Sequence, residues 1–130
     1  MPSRPPAAAV LYAKDIAKVG HFYANVAGLR LAHEEQDHLV LESDAFQLVV
    51  VAIPGKRAAS IHIAEPPQRR ENTAIKLVFP VASLAAARAA AASHGGQLNS
   101  TSREWVFQDT RVCDGHDPEG NVVQFRERAG

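Results

Sequence analysis

Cysteine is almost missing from this 130-residue chain, and Cys113 stands alone. No disulfide can form within one chain, and a single thiol fits a reducing compartment. In an extended apolar segment Cys113 reads as a small buried hydrophobe rather than a nucleophile. Net charge is missing too. Fourteen Lys and Arg offset fourteen Asp and Glu, so no global field gathers nucleic acid or an anionic membrane. No apolar run approaches the ~18 residues of a membrane span, and the longest, Leu48 to Ile53, has strand length. Residues 1–6 form a Pro-rich tail with one Arg and no apolar core. They do not read as a secretory signal, and the cytoplasm is the expected location. P-loop, GxGxxG, nucleophile-elbow and CxxC motifs are all absent.

What remains is an ordinary globular composition, 46% hydrophobic and 22% charged. A chain of this size buries roughly two-thirds of its unfolded surface without needing staples. Its most informative stretch is Arg111 to Arg126, which reads as strand, turn, strand. Asp117-Pro118-Glu119-Gly120 has the residues of a type I turn in order, with Pro presetting φ at the second position. Beyond it, alternation puts Val123 and Phe125 on one face and Val122, Gln124 and Arg126 on the other.

In chain order, a strand is expected over residues 7–13, followed by an N-cap at Asp15. Ile16, Val19, Phe22, Tyr23 and Val26 recur at helical spacing, and Gly28 supplies the stop. Three antiparallel strands follow over residues 29–35, 38–42 and 46–53. Residues 54–73 hold three prolines and several charges and read as a linker, with one edge strand near Ile61 to Ala64. The pattern then restarts. A strand over 75–81 leads to an N-cap at Ser83 and an Ala-rich helix ended by Gly95-Gly96. The inner stripe of that helix is Leu84, Ala87, Ala91 and His94. Strands over 97–100, 105–113 (interrupted near Asp109) and 121–126 complete it. The expected fold is α+β: two βαβββ modules, residues 7–53 and 74–128, forming mixed half-barrel sheets around a concave cleft, with helices on the outer faces. Together they make a single domain spanning residues 7–128.

The segments AKDIAKVGHFYANVAGLRL, KLVFPVASLAAARAAAASHGGQL and DGHDPEGNVVQF, in this order within the doubled module, resemble the vicinal oxygen chelate superfamily. That group includes glyoxalases, bleomycin resistance proteins and extradiol dioxygenases. In its metal-using members, four strand positions on the concave side supply His, Gln or Glu ligands. The resemblance places these positions on Ala8, Val49, Lys76 and Gln124. Alanine and valine have no lone pair to give, and a lysine is a cation at neutral pH. Only Gln124 can coordinate, whereas a catalytic zinc needs about three protein ligands. The resemblance therefore implies a metal-free and cofactor-free protein, with no assigned catalytic residue, that binds a small organic ligand. Its cleft is lined by Tyr12, Val49, Val51, Lys76, Val78, Trp105, Val122, Gln124 and Arg126. An anionic group of the ligand is expected near Lys76 and a hydrogen-bonding edge near Gln124. The resemblance also implies a homodimer that pairs a first module with a partner's second module.

The alternative is a metal-dependent lyase, isomerase or dioxygenase with atypical ligands. It would draw on His21, His33, His38, His62, His94 and His116, none of which pairs at a recognised metal spacing such as HxxxH. Alternation splits His33, Glu34, Glu35 and His38 across faces and a turn. His116 reads as a turn histidine bonded to local backbone. A third possibility is amine catalysis by Lys76, for which no partner residue is evident.

Overall fold

In the computed structural model, which describes residues 5–128, period-two and helical patterns become two similar halves. Module one runs β1 (Ala7–Ala13), α1 (Ile16–Val26), β2 (Arg30–Glu34), β3 (His38–Glu42) and β4 (Phe46–Ala52). Asp15 caps α1 by accepting from the Lys18 amide at 3.0 Å, and Gly28 follows the helix with φ of +72°. Val19, Phe22, Tyr23 and Val26 are buried against the sheet, which is ordered β1-β4-β3-β2 with β1 parallel to β4.

The linker departs from expectation. Residues Gly55–Ser60 form a short helix, α2, with no buried residue, and Ile61 to Ala64 form no strand. Pro54 ends the preceding extended run, and an Ala-containing segment after it needs only one turn of hydrogen bonds. The linker's sheet contact is instead a parallel bridge between Arg70 and Asn121.

Module two runs β5 (Leu77–Val81), α3 (Leu84–Ser93), β6 (Gln97–Leu98), β7 (Trp105–Phe107), β8 (Thr110–His116) and β9 (Val122–Arg128). Its sheet is ordered β5-β9-β8-β6, with β7 also on β8 and β5 parallel to β9. The interruption near Asp109 is a hairpin, with Gln108 and Asp109 at φ of 44° and 63°, the positive values a tight two-residue turn requires. The halves match in register. Val10 pairs with Val49 as Val78 pairs with Gln124, and Val10 and Val78 stand equally far from the caps Asp15 and Ser83.

Both modules share one core. Helices α1 and α3 pack together, and Phe79 of β5 lies 5.6 Å from the rings of both Tyr23 and Phe46. The opposite sheet faces carry none of this packing. The terminal turn fastens the halves. Gly120 donates to the Asp117 carbonyl at 3.0 Å, closing the expected turn. The Asp117 carboxylate is fully buried. It accepts from the Tyr23 hydroxyl (2.9 Å), the Glu119 and Asn121 amides (2.9 and 3.0 Å) and the Asn121 side chain (2.9 Å). The Glu119 carboxylate reaches the start of α1, accepting from the amides of Lys14 and Asp15 at 2.8–2.9 Å. These N–H groups belong to a helix entrance, where partners are scarce. Glu127 does the same for α3 through the Leu84 amide at 2.6 Å.

Burial pushes the Asp117 carboxyl up, while its four hydrogen bonds pull it back. Burial, reinforced by the charge and hydrogen bond of Asp117, holds the Tyr23 phenol well above its ordinary range. An acid raised in the folded state keeps its full stabilising contribution below its unfolded value, about 10 for tyrosine. That contribution is lost as pH rises through that value towards the folded one. Tyr23→Phe, which leaves Asp117 short of a donor, is expected to cost about 1–3 kcal/mol at neutral pH. It should also flatten the alkaline loss of stability. Urea unfolding from pH 7 to 11 checks both, and identical alkaline slopes would refute the assignment.

Candidate functional site

On the face of module two away from the helices, strand register lines up a row of polar side chains. Val78, Gln124 and Asp114 sit side by side on β5, β9 and β8. The Lys76 ammonium lies 2.8 Å from one Asp114 oxygen, and the Gln124 amide nitrogen donates to the other at 3.1 Å. Arg126 Nε donates to the Gln124 oxygen at 2.9 Å, and its guanidinium stands 5.0 Å from the centroid of the Phe107 ring. One row further on, Arg126, Val112 and Trp105 share a register. The result is a continuous chain, Lys76–Asp114–Gln124–Arg126–Phe107, bordered by exposed Val78 and Trp105.

Lys76 is therefore not a free cation, because its charge is met by Asp114. Arg126 has no ion-pair partner among the described residues and keeps its terminal N–H groups available. Gln124 is only 7% exposed, and both ends of its amide are engaged. Asp114 and Phe107 are the members that sequence reasoning missed. The signal for Asp114 was present, since a hairpin closed at Asp117–Gly120 sets Asp114 opposite Gln124. Phe107 becomes visible only once the β7–β8 turn is placed at Gln108 and Asp109.

The remaining cleft candidates lie elsewhere. Tyr12 and Val51 are register partners on module one's open face, beside the Val10–Val49 pair, and form an apolar surface. Tyr12 is 62% exposed. Val122 lines a cavity of about 390 Å³ between the β1 and β5 edges, together with Val10, Leu11, Ile75, Leu77 and Tyr23. The candidates thus fall into three groups, one on each module's open face and one at their junction.

Residues 8–125 match the family model of the Glyoxalase-like domain. The chain belongs to this family. It is thereby a member of the vicinal oxygen chelate superfamily, whose fold solved structures share. A glyoxalase/bleomycin resistance protein/dioxygenase family enzyme from Burkholderia phytofirmans PsJN superposes with a TM-score of 0.66 at 18% identity. The alignment covers 93% of this chain and 96% of that one. A bleomycin resistance determinant encoded on the transposon Tn5 gives 0.58 at 13% identity, covering 93% and 95%. A glyoxalase I mutant from Zea mays gives 0.68 at 14% identity, covering 93% of this chain and 45% of that one. No curated protein matches in sequence.

The positions that the family resemblance assigns to metal ligands hold few donor atoms in this glyoxalase-like chain. Ala8 and Val49 offer no donor atom, the Lys76 ammonium is bound to Asp114, and the Gln124 oxygen accepts from Arg126. Among the described residues no three His, Cys, Asp or Glu side chains group in a way that could hold a metal ion. These side chains do not fit a divalent ion. Cys113 is fully buried, and burial pushes its thiol up, which suits packing and not nucleophilic attack. His116 bonds local backbone as expected, its Nδ1 2.9 Å from the Asp117 carbonyl oxygen. No helix among the described residues is long and apolar enough to cross a membrane.

Burial ranks the polar chain energetically. Gln124→Leu leaves Asp114 without an amide donor and Arg126 without an acceptor, so a loss of about 1–3 kcal/mol is expected. Lys76→Met removes a half-exposed ion pair, and its cost should stay within about 1 kcal/mol. Denaturant melts of both variants test the order. A larger loss for Lys76→Met would overturn it.

Proposed function

We propose that this glyoxalase-like protein binds a small organic ligand without a metal ion. The ligand lies on the open face of module two, and a second copy of the chain closes the cleft with its module one. The observation that carries this reading is the chain from Lys76 to Phe107. This hydrogen-bonded row includes Lys76 and Gln124, two of the four positions that the family resemblance assigns to ligands in metal-using members. Its charges sum to one uncompensated cation, Arg126. An anionic or strongly accepting ligand group therefore belongs at Arg126 rather than at Lys76. Trp105, Phe107 and Val78 offer an apolar surface for the ligand's body, in the usual pattern of an apolar site with a few directed polar groups. Lys76 sits beside a carboxylate with its side chain 38% exposed, which is not the apolar burial that amine catalysis requires.

The second copy is argued from exposure. Val10 and Tyr12 on module one's open face and Val78, Trp105 and Phe107 on module two's are exposed large apolar residues, surfaces that a partner would cover. A two-fold pair would cover two such faces at once and create two equivalent clefts.

Trp105 is the chain's only tryptophan, so its emission reports directly on the proposed site. A ligand found by screening should shift or quench that emission. Arg126→Gln should weaken binding by about 1.5–3 kcal/mol, the worth of a charge-assisted hydrogen bond. Binding should be unchanged by a chelator. Loss of binding on chelation would favour the metal-dependent alternative with atypical ligands, and an unchanged affinity in Arg126→Gln would remove that residue from the site.

Light scattering at micromolar concentration is expected to return twice the 14.0 kDa chain mass. A monomer mass would refute closure by a second copy.

A further inference from the structure

We infer that the protein carries a second, separate site for a small oxyanion, a phosphate or carboxylate group, held by Arg69, Arg103 and His116. A cavity of about 320 Å³ lies between the linker and the β6 end of module two. Its polar walls are these three side chains with Gln97, Asn99 and Ser100, and no carboxylate lines it.

His116 is the built part of the site. It is 7% exposed, and its Nδ1 meets the Asp117 carbonyl at 2.9 Å. A carbonyl only accepts, so Nδ1 carries a proton and Nε2 is the nitrogen left for the cavity. Nε2 has no hydrogen-bond partner among the described residues. No buried side-chain nitrogen or oxygen among the described residues lacks a partner, so Nε2 opens onto the cavity, where an incoming oxyanion can reach it.

The two guanidinium groups supply the charge. The Arg69 side chain is 21% exposed, and its nearest carboxylate is Glu71, a single long contact of 3.9 Å. Arg103, in the short 3₁₀ turn Thr101–Arg103, makes no ion pair among the described residues. The backbone that carries Arg69 is held against the terminal turn. The Arg70 amide donates to the Gly120 carbonyl at 2.8 Å. A Cβ on Gly120 would stand 2.0 Å from the Gln68 carbonyl oxygen, and the residue's φ is +84°. The linker therefore crosses the terminal turn at a point where no side chain fits, and it delivers Arg69 to the cavity mouth.

Planar guanidinium forks match the oxygens of phosphate and carboxylate. Nε2 meets the same group in either ring state, accepting the proton of a hydrogen phosphate or donating to a bare oxygen. Along β8, His116 stands two residues from Asp114 and four from Val112, the partner of Arg126. At the rise of an extended strand those separations are about 7 and 14 Å. The site therefore stands apart from Arg126, and the inference does not depend on the ligand reading of module two's open face.

The test uses the full chain and no organic ligand. Inorganic phosphate and, separately, acetate are titrated into the wild type while the His116 ring resonances are followed by NMR, assigned by their loss in His116→Gln. Saturable shifts are expected. Arg69→Gln and Arg103→Gln should each weaken them about tenfold, as the loss of one charge-assisted contact implies. Arg57→Gln, which removes a charge on α2, should not. Thermal melts confirm that each variant is folded, and the arginine variants carry the test should His116→Gln not fold. The tighter of the two anions identifies the source as phosphate or carboxylate. No saturable shift with either anion, or equal weakening by Arg57→Gln, would overturn the inference.

Discussion

The carboxylate of Asp117 sits in the interior, where an uncompensated charge would cost several kcal/mol, and much of the architecture satisfies that one demand. Two of its four donors are amides of the terminal turn and one is the Asn121 side chain, so the turn must close tightly. The fourth is Tyr23, from the helix of the other module. Burying Asp117 therefore brings module two's last turn against module one's helix. Glu119, two residues along, is then carried to the entrance of α1, where it answers the Lys14 and Asp15 amides. The linker is drawn in as well, since the turn's Gly120 is where Arg70 bonds. Removing the negative charge would leave three structural elements without the reason for their positions.

Local physics made much of this readable in advance. The Asp15 and Ser83 caps, the apolar stripe of α1, the Asp-Pro-Glu-Gly turn and the alternation of β9 each depend on neighbours within a few residues. All appear as the residues dictate. The departures depend on tertiary partners. The ion pair of Lys76 follows from hairpin register and not from its own surroundings in sequence. The cap that Glu119 gives α1 joins residues separated by 105 positions, and no window along the chain contains both. Helix α2 was hidden because prolines and charges signal a loop, although six residues after Pro54 suffice for a single turn. Of the candidate site, Gln124 and Arg126 were legible from alternation. Asp114 needed the register as well, and Phe107 needed the turn before it.

Solved relatives with 13–18% identity keep the same fold. Such divergence is possible because the core asks only for apolar volume in the right pattern. The open sheet faces are under no such demand, and on module two's open face this chain carries a bonded row of polar side chains.

The matched registers of the halves, Val10 with Val49 and Val78 with Gln124, have an evolutionary consequence. Each strand is written twice, once on the side that meets the helices and once on the side that does not, and residue parity keeps the two texts separate. A duplicated unit can therefore be edited on one side while the other continues to specify folding. Here one half's open face carries aliphatic residues and the other's carries charge and amide, over a common scaffold. A repeat of this kind lets a lineage change what it recognises while most of its stability stays in place.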